Sequence, residues 1–333
     1  MPTHALARGF AATKIGGSPL GNSAVERNFM SSSNSSMGNS SDHDSDDMPG
    51  NFQGKLSGNS TDNATSHFLN ALNIPTRFAP RLRKPVPVIG WGAFKIGRNQ
   101  GAKYPSAFEI PSEQEALALV RQLINDGVRL FDTAPAYGLS EERLGKVFAT
   151  ITPAQRAELF ISTKVGETFV DGASHHNFSS AAVTQSVRHS LRTLHCDCVD
   201  CVFVHSNGND LDILQNTGCV EALEELKYQS LIGSIGFSCK TILGGELALK
   251  HELIDAVMLE IHPDATDMLS LLPLAHSLGK AVFVKKPLAS GTLQPKIVLP
   301  WILAHRHITS IVVGGLNLGR LRENFLTASL ANQ

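Results

Sequence analysis

Four ionisable side chains stand out because each follows a β-rich run. Asp132 and Tyr137 lie five residues apart in Phe131-Asp132-Thr133-Ala134-Pro135-Ala136-Tyr137-Gly138; Lys164 closes Ile161-Ser162-Thr163-Lys164; His205 closes Val202-Phe203-Val204-His205. A tyrosine with a reference pKa near 10 is a poor proton donor at neutral pH. A nearby ammonium stabilises phenolate and eases the transfer. A carboxylate beside that lysine keeps it charged and oriented, and a histidine can hold a substrate oxygen in place. The set suits protonation of an oxygen as a hydride reaches carbon, or, in reverse, deprotonation of an alcohol.

Elements must bring these residues together. Short β-rich runs occur at 88–93, 128–133, 159–164, 198–206, 232–239, 256–261, 281–285 and 308–314. Helical patterns fall between and after them, at 112–126, 140–149, 180–194, 220–229, 241–251, 267–278, near 299–305 and at 318–328. Such alternation implies right-handed crossovers and a parallel sheet. Residues 85–333 suffice for the roughly 250 residues of a closed (β/α)8 TIM barrel, whose chemistry sits on the rim formed by the C-terminal strand ends. An open doubly wound sheet is the alternative, but no G-x-G-x-x-G loop follows the first strand. Ser140 before Glu141 and Glu142 reads as a capped helix start, and Ser112 to Glu115 has capping-box spacing. Residues 1–84 are rich in Ser, Asn and Gly, with an acidic knot at Asp42, Asp44, Asp46 and Asp47. The expected division is therefore a disordered extension over 1–84 and a barrel over 85–333.

The chain has 333 residues, 42% of them hydrophobic, and a formal net charge of −1. That supports a large single core and offers no electrostatic case for nucleic acid. No apolar run approaches the roughly 20 residues of a membrane span. Arg8 and Lys14 precede no continuous apolar stretch, so the expected location is cytoplasmic; the Ser-rich, acid-poor start leaves a cleaved organellar presequence as the other reading. The five cysteines are odd in number and suit a reducing compartment. Cys196, Cys198 and Cys201 lie close together, but no second ligand cluster accompanies them, and no metal site is expected.

The motifs around the four rim residues resemble those of the aldo-keto reductases. The family pattern F-D-T-A-x-x-Y-G-x-S-E-x-x-L-G is met over 131–145, its lysine strand at Ser162-Thr163-Lys164, and its histidine element at Val204-His205. Ile235-Gly236-Phe237-Ser238 matches I-G-x-S, and Arg320, Glu323 and Asn324 match R-x-x-E-N. The resemblance covers nearly all of residues 86–328 and is nearest to a bacterial-type, aldose dehydrogenase-like branch. It implies a (β/α)8 barrel that binds NADPH, with NADH as the alternative, and acts on a small carbonyl compound or sugar. It makes Tyr137 the general acid, Lys164 its pKa modulator, Asp132 the partner of Lys164, and His205 the substrate-orienting residue. Ser238 would contact the nicotinamide carboxamide, Arg320 and Asn324 would grip the adenosine phosphate end, and Gly92, Lys285 and Gly315 would line the cofactor site. Three positions depart from the family: Lys285 stands where an aromatic ring stacks on nicotinamide, Cys239 where an asparagine is common, and Gly314-Gly315 where basic and hydroxyl residues read a 2′-phosphate.

Other residues have competing readings. His175-His176 reads as a solvated loop. Lys285 or Lys286 could form a Schiff base, though only one of two neighbours on a strand can face the barrel interior. Trp91 and Phe94 read as walls of an apolar pocket or as core. Asp264 and Asp267 read as helix caps. Two further functional classes stay open: a cofactor-binding regulatory barrel with little turnover, and a Schiff-base lyase.

Overall fold

Runs of Val, Ile, Leu and Phe cut short by Gly, Pro and polar residues favour short strands buried on both faces. The computed structural model describes residues 72–101 and 104–332. Eight such runs form a closed barrel. Its strands are β1 (Ile89–Gly92), β2 (Leu130–Asp132), β3 (Phe160–Val165), β4 (Cys201–His205), β5 (Ile235–Ser238), β6 (Ala256–Glu260), β7 (Ala281–Lys285) and β8 (Ser310–Gly314). Every neighbouring pair is parallel, and β8 closes on β1 with Ile311 opposite Ile89 and Gly314 opposite Gly92. Outside lie helices α1 (Glu113–Asn125), α2 (Ser140–Phe148), α3 (Ser180–Thr193), α4 (Cys219–Tyr228), α5 (Ile242–Lys250), α6 (Leu272–Ser277), α7 (Pro295–Leu303) and α8 (Leu318–Ala331). The strands and helices expected from the sequence are present, with ends moved by a few residues.

The period-2 alternation of strands splits the core in two. One set of side chains packs between sheet and helices, including Ile161 and Val202. The other fills the barrel interior: Leu130, Phe160, Cys201, Phe203, Ala256, Met258, Ala281, Phe283 and Val312. Phe283 meets Phe203 edge-on at 5.3 Å and Phe160 at 5.9 Å. The interior has no room for eight large residues in a layer. A Cβ on Gly90 would sit 2.0 Å from Leu130, and one on Gly236 would sit 2.2 Å from Phe203.

Three details depart from expectation. First, residues 72–84, grouped above with the extension, pack on the barrel. Thr76–Arg77 pairs antiparallel with Val86–Pro87, and Ala79, Leu82 and Val86 join the interior core at the N-terminal strand ends. Two-residue strands carry too little alternation to be recognised in a sequence. The rest of the expected extension, residues 1–71, lies outside the described residues. Second, Ser140 is not an N-cap: α2 begins at Ser140, and its hydroxyl donates to the Ala93 carbonyl at 2.6 Å. The Ser112–Glu115 capping box at α1 does form. Third, the segment holding His175-His176 is a hairpin, Glu167–Val170 paired with Ala173–His176 and turned at Asp171-Gly172, both with positive φ. Its two histidines are exposed.

Candidate active site

Parity decides which side chains meet at the rim. Asp132 continues the inward face of Leu130, Lys164 that of Phe160 and Ser162, His205 that of Cys201 and Phe203, and Lys285 that of Ala281 and Phe283. The lower members of each series fill the core, and the uppermost emerges at the C-terminal end. The same rule selects Lys285 over Lys286, which is exposed and pairs with Glu260 at 2.6 Å.

Asp132 and Lys164 form a sealed pair. Lys164 Nζ donates to Asp132 Oδ2 at 2.6 Å and to the Thr133 carbonyl at 2.9 Å, while Ser162 Oγ donates to Asp132 Oδ1 at 2.8 Å. The two residues are only 3% and 2% exposed, so solvent screens them little. Burial alone would lower the Lys164 pKa, but Asp132 and the Tyr137 phenol outweigh it and hold the ammonium above its ordinary range.

Tyr137 ends a single 3-10 turn, Pro135–Tyr137, entered through a proline. The next residue, Gly138, has φ 60°, and a Cβ there would meet the Gly97 carbonyl at 2.4 Å. Only glycine lets the Tyr137 turn sit this close to the segment after β1. The Tyr137 ring lies 4.8 Å from Lys164 Nζ, 5.1 Å from the Phe94 ring and 6.3 Å from the His205 ring, centre to centre for the rings. Burial pushes the phenol above its ordinary pKa; Lys164 opposes this, and the carboxylates of Asp132 and Glu167 add to it. The expected lowering by lysine is thus present but outweighed by burial, and the phenol is held neutral and carries its proton.

His205 faces a carboxylate, Glu167, that no motif in the sequence singles out. Nδ1 lies 2.7 Å from Glu167 Oε2, at hydrogen-bonding distance but off the ideal line of approach. Glu167 Oε1 accepts from Ser174 Oγ at 2.6 Å and lies 3.6 Å from Arg98 Nη1. Arg98 is itself buried, donates to the Ala136 carbonyl at 2.9 Å, and stacks 3.4 Å from the centre of the Phe169 ring. Burial opposes ionisation of Glu167, but His205 and Ser174 outweigh it and hold the carboxyl well below its usual range. Burial lowers the His205 pKa, with Lys164 and Lys285 adding to that and Glu167 opposing it.

Across the rim, Lys285 Nζ donates to Ser238 Oγ at 2.8 Å and to the Cys239 carbonyl at 2.7 Å. Burial is the main reason its pKa falls to about 8. Cys239 is buried and its thiol is pushed up to about 12, so it stays neutral. Gly92 and Gly314 end β1 and β8 side by side. Trp91, on the outward face of β1, is fully buried in the sheet–helix core and donates to the Gly315 carbonyl at 3.0 Å; it is core, not pocket wall. Phe94 does flank Tyr137. Arg320 lies exposed in the first turn of α8, and Asn324, four residues on, is buried.

A dinucleotide is the group to test against these residues. A Cβ on Gly315 would come within 3.0 Å of Leu321, and one on Gly92 within 3.0 Å of Val312, so the backbone at both places is open to close approach only without side chains. The N-terminus of the 14-residue helix α8 follows directly, with Asn317 accepting from the Arg320 amide at 2.9 Å. Helix N-termini with nearby arginine suit phosphate. Ser238 and Lys285 suit a carboxamide by hydrogen bonding; Lys285 cannot stack on a ring. The residues fit a dinucleotide at both polar ends. Among the described residues, no group of three or more His, Cys, Asp or Glu side chains is placed to hold a metal ion, and no helix is long and apolar enough to cross a membrane.

The closed parallel barrel is a fold shared with proteins of known structure. The model of the aldo/keto reductase family matches residues 88–298. A Pseudomonas aeruginosa protein of known structure, named as an aldo-keto reductase, is 35% identical, with a TM-score of 0.71 over 80% of this chain and 100% of that one. L-galactose dehydrogenase of Arabidopsis thaliana is 28% identical over 280 residues, which span 72% of this chain and 83% of the relative. D-galacturonate reductase of Fragaria ananassa is 28% identical over 281 residues, spanning 72% and 81%. The chain belongs to the aldo/keto reductase family, and so to the oxidoreductases.

Proposed function

We propose that this protein is an NAD(P)(H)-dependent oxidoreductase that interconverts aldehydes or ketones, sugars among them, and the corresponding alcohols, with Tyr137 as general acid and base. The observation that carries this reading is the contact of the Tyr137 ring with a Lys164 ammonium locked to Asp132. Gly92, Ser238, Lys285, Gly315, Arg320 and Asn324 would hold the cofactor, which supplies or accepts the hydride at carbon. Tyr137, neutral through burial, gives its proton to the carbonyl oxygen. Lys164 then faces the developing phenolate and stabilises it, because Asp132 keeps the ammonium charged. His205 stands beside Tyr137 at the rim, where it can orient the substrate. Arg320 favours NADPH over NADH, since a guanidinium can pair with a 2′-phosphate. The sugar-acting names among the relatives support an aldose or related hydroxy-carbonyl compound as substrate.

A Schiff-base reading rests on Lys285, which faces inward with a pKa near 8. It ranks second because it leaves Tyr137 and the Lys164–Asp132 pair without work. The test is titration of the full chain with NADPH and with NADH by nicotinamide fluorescence, then turnover on a panel of aldoses and simple carbonyls. Tyr137→Phe should bind cofactor as the wild type does and lose about 10²- to 10⁴-fold in turnover, the usual contribution of a positioned acid. A variant retaining near wild-type rate removes Tyr137 from the role.

A further inference from the structure

The contact between Glu167 and His205 belongs to none of the roles above. Glu167 begins the hairpin that follows β3, and its carboxylate is held from three sides: Ser174 Oγ donates to Oε1, Arg98 Nη1 approaches the same oxygen, and Oε2 faces His205 Nδ1 at 2.7 Å. Arg98 is fixed in turn by the Ala136 and Gln100 carbonyls and by the face of Phe169. The carboxylate is therefore pinned by its own neighbours and does not follow the imidazole.

A carboxylate this close to a bare imidazole nitrogen would set two lone pairs against each other in a poorly solvated site. The Nδ1 position must carry hydrogen. The other groups facing the ring are Lys164 from β3, Lys285 from β7 and the Tyr137 phenol, while His176 and Arg98 reach it through Glu167. The two lysines disfavour a second proton. A neutral imidazole has one hydrogen, so placing it on Nδ1 leaves Nε2 with a lone pair.

We infer that Glu167 is a positioning residue that fixes His205 in the tautomer with hydrogen on Nδ1, so that His205 meets a bound substrate through Nε2 as an acceptor from a hydroxyl. Resting on the function proposed above, this makes the alcohol or lactol form of the substrate the one His205 binds at neutral pH. A carbonyl oxygen needs a donor, and His205 becomes one only when doubly protonated.

The tautomer can be read without turnover. In the full chain carrying ¹⁵N-histidine, long-range ¹H–¹⁵N correlation separates a protonated ring nitrogen from a bare one, and His205→Gln identifies the signal. The wild type should show hydrogen on Nδ1 at neutral pH. Glu167→Met should move it to Nε2 or give a mixture, and Glu167→Gln, whose amide oxygen still accepts, should keep the wild-type pattern. With an active substrate pair, Glu167→Met should raise KM for the alcohol about tenfold with a smaller change in kcat, as expected when one hydrogen bond to bound substrate is lost. Hydrogen on Nε2 in the wild type, or an unchanged tautomer in Glu167→Met, overturns the inference. Absence of turnover on every substrate tried counts against the proposed reaction instead, and the spectrum still decides the role of Glu167.

Discussion

At the residue scale, the Asp132–Lys164 pair has the most to lose. Both charges are out of water, and each is the other's main compensation. Removing one partner of a buried pair leaves an uncompensated charge, at a typical cost of about 3–5 kcal/mol. Asp132→Ala should show a loss of that size in the midpoint of denaturant unfolding. The combined change Asp132→Asn with Lys164→Met should recover much of it, without activity. Asp132, Lys164 and His205 were legible in the sequence because each is the ionisable end of a short β-rich run, and Tyr137 because it lies five residues beyond Asp132. Glu167 and Arg98 were not. Glu167 follows Gly166 rather than ending a barrel strand, and Ser174, which donates to it, lies on an exposed hairpin strand with no apolar run. Arg98 lies 69 residues before Glu167, and only the tertiary fold brings the two together. Trp91, open in the sequence to either reading, takes the core one because it falls on the outward face of β1.

At the element scale, α2 is tied to its neighbours by a carboxylate. Glu141 accepts from Thr163 Oγ1 on β3 at 2.5 Å and from Ser190 Oγ on α3 at 3.1 Å. Burial raises its pKa from 4.5 to about 7, against the two hydroxyls and Lys164. The folded state thus holds the Glu141 proton more tightly than the unfolded state does. The stability this contributes is fully present below pH 4.5 and is lost as pH rises through 7. From this group alone the protein should be more stable at pH 5 than at pH 8 by up to roughly 3 kcal/mol. Thermal or urea unfolding at both pH values should show that gap shrinking by a similar amount in Glu141→Gln. An unchanged gap would mean that Glu141 is ionised at both. The sequence made α2 visible through its acidic first turn but placed its start one residue off. Ser140 Oγ was needed by Ala93 of the β1 loop, a contact across 47 residues that no local capping rule contains.

At the scale of the whole molecule, the barrel is fastened at its N-terminal end. Arg77 donates to Asn332 Oδ1 from Nε at 2.9 Å and from Nη2 at 2.6 Å, and to the Leu303 carbonyl at 2.9 Å, with a further bond to the Ile308 carbonyl. It joins the segment before β1 to the loop before β8 and to the end of α8. Hydrogen bonds from a charged donor contribute about 1.5–3 kcal/mol each in favourable cases, and losing several that share one side chain is less than additive. Arg77→Ala should therefore lower stability by about 2–3 kcal/mol, read from the unfolding midpoint, while cofactor affinity at the opposite rim stays as it was. Eight βα units and their order could be counted from the sequence, because hydrophobic period is a local property. The floor of the barrel could not, since Ala79 and Leu82 lie in Phe78-Ala79-Pro80-Arg81-Leu82-Arg83-Lys84, which has no sustained hydrophobic period, and only the hole they fill gives them meaning.

The pairing of β1 with β8 also sets the order of events on the ribosome. Ile89–Gly92 hydrogen-bonds on one side to β2 and on the other to Ser310–Gly314. Chains emerge from the N-terminus, so β1 and the short hairpin that plugs the barrel below it are exposed long before their last partners exist. Until residue 314 has been made, the nascent sheet has one bare edge at β1, built from Ile, Gly and Trp, and the interior phenylalanines are open to solvent from that side. Such an edge is a template for pairing with another chain. Closure of Ser310–Gly314 onto Ile89–Gly92 is the step that removes this edge.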